Sequence, residues 1–243
     1  MALLEIHHLT KRFGGITAVD DCSFNVEEGS ITSLIGPNGA GKTTAFNLIS
    51  GVLKPDEGRV FFEGEDITRK RPSHITRRGI SRTFQITRDL KEMTVLENVV
   101  IQSLVHGFWS LFRSDMDRRE RERAMSLLDF VGISGLANLK AKNLSYGQKK
   151  LMELAAVMMS DPKLIMLDEP AGGVNPALLE TIMDRIITLN QRGITFLIVE
   201  HNMDVVMQLC DPVVVMAYGS VLAVGPPAAI QQDEAVLEAY LGV

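Results

Sequence analysis

Residues 36–43 read Gly36-Pro37-Asn38-Gly39-Ala40-Gly41-Lys42-Thr43 and match the phosphate-loop pattern G-x-x-x-x-G-K-[ST]. An apolar run at residues 30–35 precedes this motif, and a helical pattern begins near Lys42. Glycines let such a loop turn its backbone N–H groups onto phosphate oxygens, and the helix N-terminus adds its positive end. Lys42 can reach the outer phosphates and the Thr43 hydroxyl can ligate magnesium. We therefore predict that residues 36–43 and the following Thr44 bind a nucleotide, against the alternative of a glycine-rich turn that only links a strand to a helix.

Two further apolar strands are predicted at residues 164–167 and 195–199. The first is followed by Asp168 and Glu169, which suit magnesium binding and activation of an attacking water, respectively. His201 follows the second strand. Alone, these residues could be an ordinary polar turn and a hydrogen-bonding partner at a helix start. Ligands of parallel sheets bind at the carboxyl edge of the strands, so we expect all three residues to meet Lys42 there.

A third candidate site is the start of a predicted helix at Leu144-Ser145-Tyr146-Gly147-Gln148. Ser145 and Gln148 have the spacing of a capping box, which accounts for them without a ligand. The same free N–H groups, hydroxyl and glycine would also make an anion site, with Gly147 permitting close approach. The sequence alone does not decide between a capping box and an anion site.

The order of predicted elements indicates an α/β fold. Strand and turn patterns at residues 3–9, 22–26 and 58–63 predict an antiparallel β layer in the N-terminal part. The strand–loop–helix units predict a P-loop NTPase core with a mostly parallel sheet. Between the first and second strands of the parallel sheet, residues 86–160 have almost no strand pattern and predict an inserted helical subdomain. We expect one domain, with residues 1–85 and 161–243 forming the nucleotide-binding core.

Composition narrows the classes of partner. A net charge of −5 and a pI near 5.6 give no global attraction to nucleic acid. The two cysteines, Cys22 and Cys210, are too few for a disulfide framework or a cysteine zinc cluster. We find no signal-peptide pattern and no run of the roughly 18 apolar residues that a membrane helix needs. The chain is therefore not expected to cross a bilayer.

Five motifs together resemble the ATP-binding domains of ABC transporters. GPNGAGKT, the Gln85 of RTFQ, LSYGQ, LIMLDEP and LIVEH occur in the order found in that family. The resemblance implies ATP and Mg²⁺ as ligands, Gln85 as a hinge that senses the metal and the attacking water, and stacking of Phe13 on adenine. It also implies that LSYGQ contacts the nucleotide of a second subunit. A core position is the alternative for Phe13.

The same resemblance implies the partners and the location. It predicts a second ATP-binding subunit, a paralogue or an identical copy, and two membrane-spanning permease subunits. A helix of those subunits would dock in the groove beside the Gln85 hinge. A solute-binding protein would act indirectly, and the chain would lie peripherally on the cytoplasmic face of the inner membrane.

A finer resemblance is to the ATP-binding subunits of branched-chain amino acid importers. It rests on RTFQITR, MTVLENV, LSYGQKK, EPAGGVNP and VLEAYLG. Two residues depart from the wider family: Asn175 where many relatives carry Asp, and Tyr146 where Gly is usual. An importer of another solute such as urea, and a non-transport ATPase acting on DNA or ribosomes, remain alternatives. A small-molecule kinase would not explain LSYGQ or His201.

Overall fold

The computed structural model of the chain describes residues 1–83, 90–102 and 118–241, and its first part is an antiparallel sheet. The strands are β1 (Ala2–Phe13), β2 (Ile16–Glu27), β4 (Glu57–Phe62) and β5 (Glu65–Asp66), in the order β2-β1-β4-β5. β1 and β2 form a long hairpin, with Phe13 paired to Ile16 across the Gly14-Gly15 turn. This sheet confirms the predicted antiparallel layer.

The second sheet is mostly parallel and has the strand order β10-β9-β3-β8-β7-β6. Its strands are β3 (Ile31–Ile35), β6 (Ile80–Arg82), β7 (Leu164–Asp168), β8 (Thr195–Val199), β9 (Val213–Ala217) and β10 (Ser220–Gly225). Every residue of β3, β7, β8 and β9 is buried, as expected for strands covered on both faces. The apolar runs at residues 213–217 and 221–224 around Tyr218-Gly219-Ser220 predict a hairpin. β9 and β10 form it as an antiparallel pair, and β9 also joins the parallel core beside β3. The predicted P-loop NTPase sheet is confirmed.

One strand of this sheet has no counterpart in the sequence-based prediction. β6 contains only Ile80, Ser81 and Arg82, and it pairs in parallel with residues 164–166 of β7 at the sheet edge. A three-residue strand with two polar side chains carries no period-2 signal over a useful length. β6 is defined by its pairing with β7, whose residues lie more than 80 positions later in the sequence.

The described residues also contain α-helices. They are α1 (Lys42–Ile49), α2 (Pro72–Arg77), α3 (Val95–Val100), α4 (Arg118–Phe130), α5 (Tyr146–Met158), α6 (Pro176–Gln191), α7 (Met203–Leu209), α8 (Pro227–Ile230) and α9 (Glu234–Leu241). α3, α4 and α5 lie within residues 86–160, and Thr94 starts α3 with a capping box. In residues 1–83, 90–102 and 118–241, no helix combines the length and apolar character needed to cross a membrane.

The hydrophobic core is divided by the parallel sheet. Ile165 and Leu167 of β7 belong to a cluster with α3 to α7, whereas Leu164 and Met166 belong to a cluster with α1 and the antiparallel sheet. Successive side chains of a strand point to opposite faces, so one short strand supports both clusters. Packing on both faces holds β7 in place within the sheet. It thereby fixes the position of Asp168 and Glu169 at the carboxyl end of the strand.

Candidate functional site

The carboxyl ends of three adjacent strands meet at one edge of the parallel sheet. β8 lies between β3 and β7, and all three run in the same direction. The phosphate loop (residues 36–43) follows β3, Asp168 ends β7, and His201 lies two residues beyond β8. The topology therefore brings together the segments that the sequence predicted to converge.

Gly36 begins the phosphate loop at a position where no side chain fits. Its φ is 149°, and a Cβ atom built there would lie 2.1 Å from the Met216 carbonyl oxygen on β9. The loop therefore leaves the sheet in direct contact with the neighbouring strand. Gly41 stands at the N-cap position of α1, and no side chain among the described residues caps this helix. The first N–H groups of α1 thus remain available for an anionic ligand.

The Lys42 ammonium lies inside the curve of the phosphate loop. Its Nζ donates hydrogen bonds to the carbonyl oxygens of Gly36 at 2.6 Å and Pro37 at 2.9 Å. Burial lowers the pKa of Lys42, and the negative charge of Glu169 opposes this shift. The ammonium can exchange its carbonyl partners for phosphate oxygens without leaving the site.

Asp168 is buried and its two carboxylate oxygens have different environments. The residue is 1 % exposed, and Oδ2 accepts a hydrogen bond of 3.0 Å from the Arg82 guanidinium. Oδ1 is buried without a hydrogen-bond partner among the described residues. Because a buried unpartnered carboxylate oxygen is costly, Oδ1 is suited to a cation or a cation-bound water.

The described residues contain no cluster of three or more His, Cys, Asp and Glu side chains that could hold a metal alone. Magnesium commonly takes one or two protein ligands and completes its shell with phosphates and water. Asp168 Oδ1 and the exposed Thr43 hydroxyl are suitable ligands of that kind. These two oxygens therefore fit a nucleotide-bound Mg²⁺.

Glu169 and His201 approach each other from neighbouring strands. His201 Nδ1 lies 3.8 Å from Glu169 Oε1, and both side chains are partly exposed to solvent. Glu169 has a φ of 49°, which is rare for a residue with a side chain, and its N–H donates to the Val199 carbonyl oxygen at 2.9 Å. A strained backbone at this position holds the carboxylate at the edge of the site.

Glu200, which sequence reasoning missed, connects the loops that carry Glu169 and His201. It is fully buried; its Oε1 accepts from the Ala171 N–H at 2.8 Å, and its Oε2 accepts from the His201 and Asn202 N–H groups at 2.9 and 3.1 Å. An acidic residue at the end of an apolar strand, directly before a histidine, is the signal that could have found it. Its carboxylate therefore fixes both turns with three charge-assisted bonds.

Removing this carboxylate should destabilise the fold. Glu200→Ala leaves one buried and two partly buried N–H groups without their acceptor, so we expect the free energy of unfolding to fall by roughly 3–5 kcal/mol. Urea denaturation followed by circular dichroism measures this change. The exposed Glu28→Gln variant is the matched control and should stay within about 0.5 kcal/mol of the original chain. A Glu200→Ala chain as stable as that control would contradict this role.

The Ser145–Gln148 capping box is formed in this chain. Ser145 Oγ accepts from the Gln148 N–H at 3.3 Å, and Gln148 Oε1 accepts from the Ser145 N–H at 2.9 Å. A Cβ atom at Gly147 would lie 2.1 Å from Leu178 Cδ2, so the missing side chain allows α5 to pack on α6. Helix capping and packing thus account for these residues within one subunit. Their contact with a nucleotide of a second subunit stays a prediction.

Of two further predicted site residues, Phe13 lies within the described residues and Gln85 does not. Phe13 is 46 % exposed at the end of β1 and lies outside the core, with Lys11 Nζ 5.5 Å from its ring centroid. An exposed ring is available for stacking, and the core alternative is wrong. Gln85 lies outside the described residues, so its predicted hinge and metal roles stay predictions.

The C-terminal helix α9 also approaches the phosphate loop. Burial raises the pKa of the Tyr240 phenol, and a hydrogen bond with the Gly36 backbone opposes that rise.

Comparisons with known proteins identify the family of the chain. The ABC transporter family profile matches residues 19–172, and that of the branched-chain amino acid ATP-binding cassette transporters matches residues 220–243. The "Probable branched-chain amino acid transport ATP-binding protein LivG" of Archaeoglobus fulgidus is 46% identical over 247 positions, covering 100% of this chain and 96% of that relative.

Solved structures give the same result. A nucleotide-free ATP-binding cassette from an ABC transporter is 40% identical, with a TM-score of 0.92 and 100% coverage of both chains. A dimeric cassette in a post-hydrolysis state, bound to ADP and Pi, is 26% identical, with a TM-score of 0.80 over 92% of this chain and 98% of that one. The phosphate loop, the acidic end of β7 and these similarities together show that the chain belongs to the ABC transporter family of ATP-binding cassettes.

Proposed function

We propose that the chain is the ATP-hydrolysing subunit of an ABC importer for branched-chain or other hydrophobic amino acids. The observation that carries the ATPase role is the convergence of Lys42, Asp168, Glu169 and His201 on one sheet edge. The names of the similar proteins support the cargo, because the relative quoted above is described as a branched-chain amino acid transport protein. The C-terminal family match supports the same cargo class.

In the proposed reaction, water attacks the γ-phosphorus of ATP. The water oxygen forms a bond to that phosphorus, the bond to the β–γ bridging oxygen breaks, and ADP and phosphate are released. Glu169 takes the proton of the attacking water. We assign His201, whose Nδ1 lies 3.8 Å from Glu169 Oε1, the role of orienting this base. Lys42 and the free N–H groups of α1 bind the phosphates and neutralise the charge that develops on them.

The metal ligands in this proposal are the Thr43 hydroxyl, Asp168 Oδ1 and Gln85. A Mg²⁺ ion held there would supply positive charge that stabilises the phosphates during hydrolysis. The unpartnered, buried Oδ1 of Asp168 supports this assignment.

We further propose that the site is completed by a second ATP-binding subunit, a paralogue or an identical copy. Ser145, Gly147 and Gln148 would contact the nucleotide bound by that partner, and Phe13 would stack on adenine. The dimeric cassette among the similar structures supports this arrangement. ATP would favour the closed dimer because it contacts both halves, and hydrolysis would remove that preference.

The membrane partners in this proposal are two permease subunits at the cytoplasmic face of the inner membrane, with a solute-binding protein acting through them. We assign residues 86–160 as the helical subdomain and the rest of the chain as the nucleotide-binding core. Between these parts lies a cavity of about 250 Å³ whose lining includes Val52, Arg82, Gln102 and Val157. A cytoplasmic helix of a permease subunit would dock in this cavity, and nucleic acid is not an expected partner.

Reconstitution of the chain with its permease subunits in vesicles tests the proposal. We expect ATP-dependent uptake of labelled leucine and no uptake of urea. Uptake of urea would change the proposed cargo but would leave the proposed role as the ATPase subunit of an importer intact. Purification with ribosomes or DNA instead of membrane subunits would contradict the transport role itself.

A further inference from the structure

Arg82 is a nearly buried cation next to the proposed magnesium site. It is the last residue of β6, the edge strand beside β7, and its side chain is 9 % exposed. The central carbon of its guanidinium lies 5.3 Å from the centroid of the Phe46 ring on α1. Neither the phosphate-loop motif nor the acidic motif includes this residue.

The guanidinium joins two parts of the site that are far apart in sequence. One terminal nitrogen donates to Asn47 Oδ1 at 2.7 Å and to Ser50 Oγ at 3.0 Å, both at the C-terminal end of α1. The other donates to Asp168 Oδ2 at 3.0 Å, at the end of β7. The planar fork of arginine fixes the direction of all three bonds at once.

This arrangement distinguishes the two oxygens of Asp168. Arg82 binds Oδ2, whereas Oδ1 is buried with no hydrogen-bond partner in the described part of the chain. The carboxylate can rotate only by losing its charge-assisted bond to the guanidinium. Oδ1 is therefore held as the oxygen that remains available to a cation.

We propose that Arg82 is a positioning residue that orients the Asp168 carboxylate for the magnesium ion bound with ATP. The proposal rests on the proposed ATPase function and adds a residue to its metal site. Arg82 itself contacts neither nucleotide nor metal in this account. Its effect is transmitted through Asp168 and should appear only when magnesium is present.

Equilibrium binding of an unhydrolysable ATP analogue to the full chain tests this proposal without relying on turnover. The affinity is measured with Mg²⁺ and again with EDTA, and the ratio of the two is the magnesium enhancement. For Arg82→Gln we expect the affinity in EDTA to change less than twofold and the enhancement to fall about tenfold, or about 1.4 kcal/mol. Arg82→Lys keeps the charge but not the fork, so its enhancement should fall about threefold.

Arg123→Gln is the matched control because it removes an arginine paired with the exposed Asp161 at the surface. Its enhancement should equal that of the original chain. Asn47→Ala gives a second route if Arg82→Gln does not fold, because it removes the shortest bond to the guanidinium and leaves Arg82 and Asp168 in place. A drop of twofold or more in its enhancement supports the proposal.

An unchanged enhancement in folded Arg82→Gln or, if that variant does not fold, in Asn47→Ala would overturn the positioning role. Equal losses of affinity with and without Mg²⁺ would also overturn it, since they would mean that Arg82 only supports α1 and the phosphate loop. An original chain that bound no analogue under either condition would instead contradict the proposed function. The two failures are therefore distinguishable.

Discussion

Lys42→Ala should lower steady-state ATP hydrolysis at least about 100-fold, which corresponds to a loss of roughly 2.7 kcal/mol of transition-state stabilisation. The ammonium is the only side-chain cation that the described structure holds within the phosphate loop, where it donates to the Gly36 and Pro37 carbonyl oxygens. These bonds keep it at the position where the outer phosphates would lie. Alanine leaves the loop backbone but removes this charge.

Release of inorganic phosphate by the purified chain measures the effect, and analogue binding shows whether affinity falls with it. Lys54→Ala, at an exposed lysine close in sequence, is the control and should retain normal turnover. The fold should survive, since only two carbonyl acceptors lose a partner, at a cost of about 1 kcal/mol. Normal hydrolysis in Lys42→Ala would refute the assignment of residues 36–43 as the phosphate loop.

Local patterns in the sequence predicted the elements that the structure then contains. The phosphate loop is one continuous motif, and its strand and helix lie directly beside it in sequence. The buried runs that became β3, β7 and β8 have four or five consecutive apolar or small residues, enough for a strand signal. Parallel order then follows from the alternation of strands and helices.

The residues that sequence reasoning missed depend on contacts across long separations. Arg82 meets Asp168 86 residues away, and Glu200 meets the Ala171 N–H 29 residues away. No window of 10 to 20 residues contains both members of such a pair. Gly36 likewise depends on a distant segment, because a side chain there would collide with the Met216 carbonyl oxygen on β9.

The residues of one motif can also be explained either by helix stability or by ligand binding, and the sequence does not separate these two explanations. Ser145 and Gln148 form a capping box, as their spacing predicted, and Gly147 allows close packing on Leu178. Both effects stabilise α5 in a single chain, and neither prevents the exposed helix start from binding an anion. Tyr146, which replaces the usual glycine, packs its ring on Gly173 and leaves nearly half of its surface exposed. Only a complex with nucleotide and a second subunit separates these roles.

Glu169→Gln should retain ATP binding while lowering hydrolysis at least about 100-fold. Glutamine has nearly the same shape as glutamate, so the loop geometry that includes the Glu169 N–H bond to Val199 is preserved. Its amide cannot accept the proton of the attacking water. Since ATP would then stay bound between two half-sites, the closed dimer should accumulate.

Phosphate release and size-exclusion chromatography in ATP measure these two effects on the same sample. The exposed Glu180→Gln on α6 is the control, and it should hydrolyse ATP at the normal rate and form no ATP-stabilised dimer. Turnover of Glu169→Gln within twofold of the original chain would remove Glu169 as the base. Loss of both binding and turnover would instead indicate that the Glu169 carboxylate helps to bind ATP. In that case, Lys42 would depend on Glu169 as its charge partner within the site.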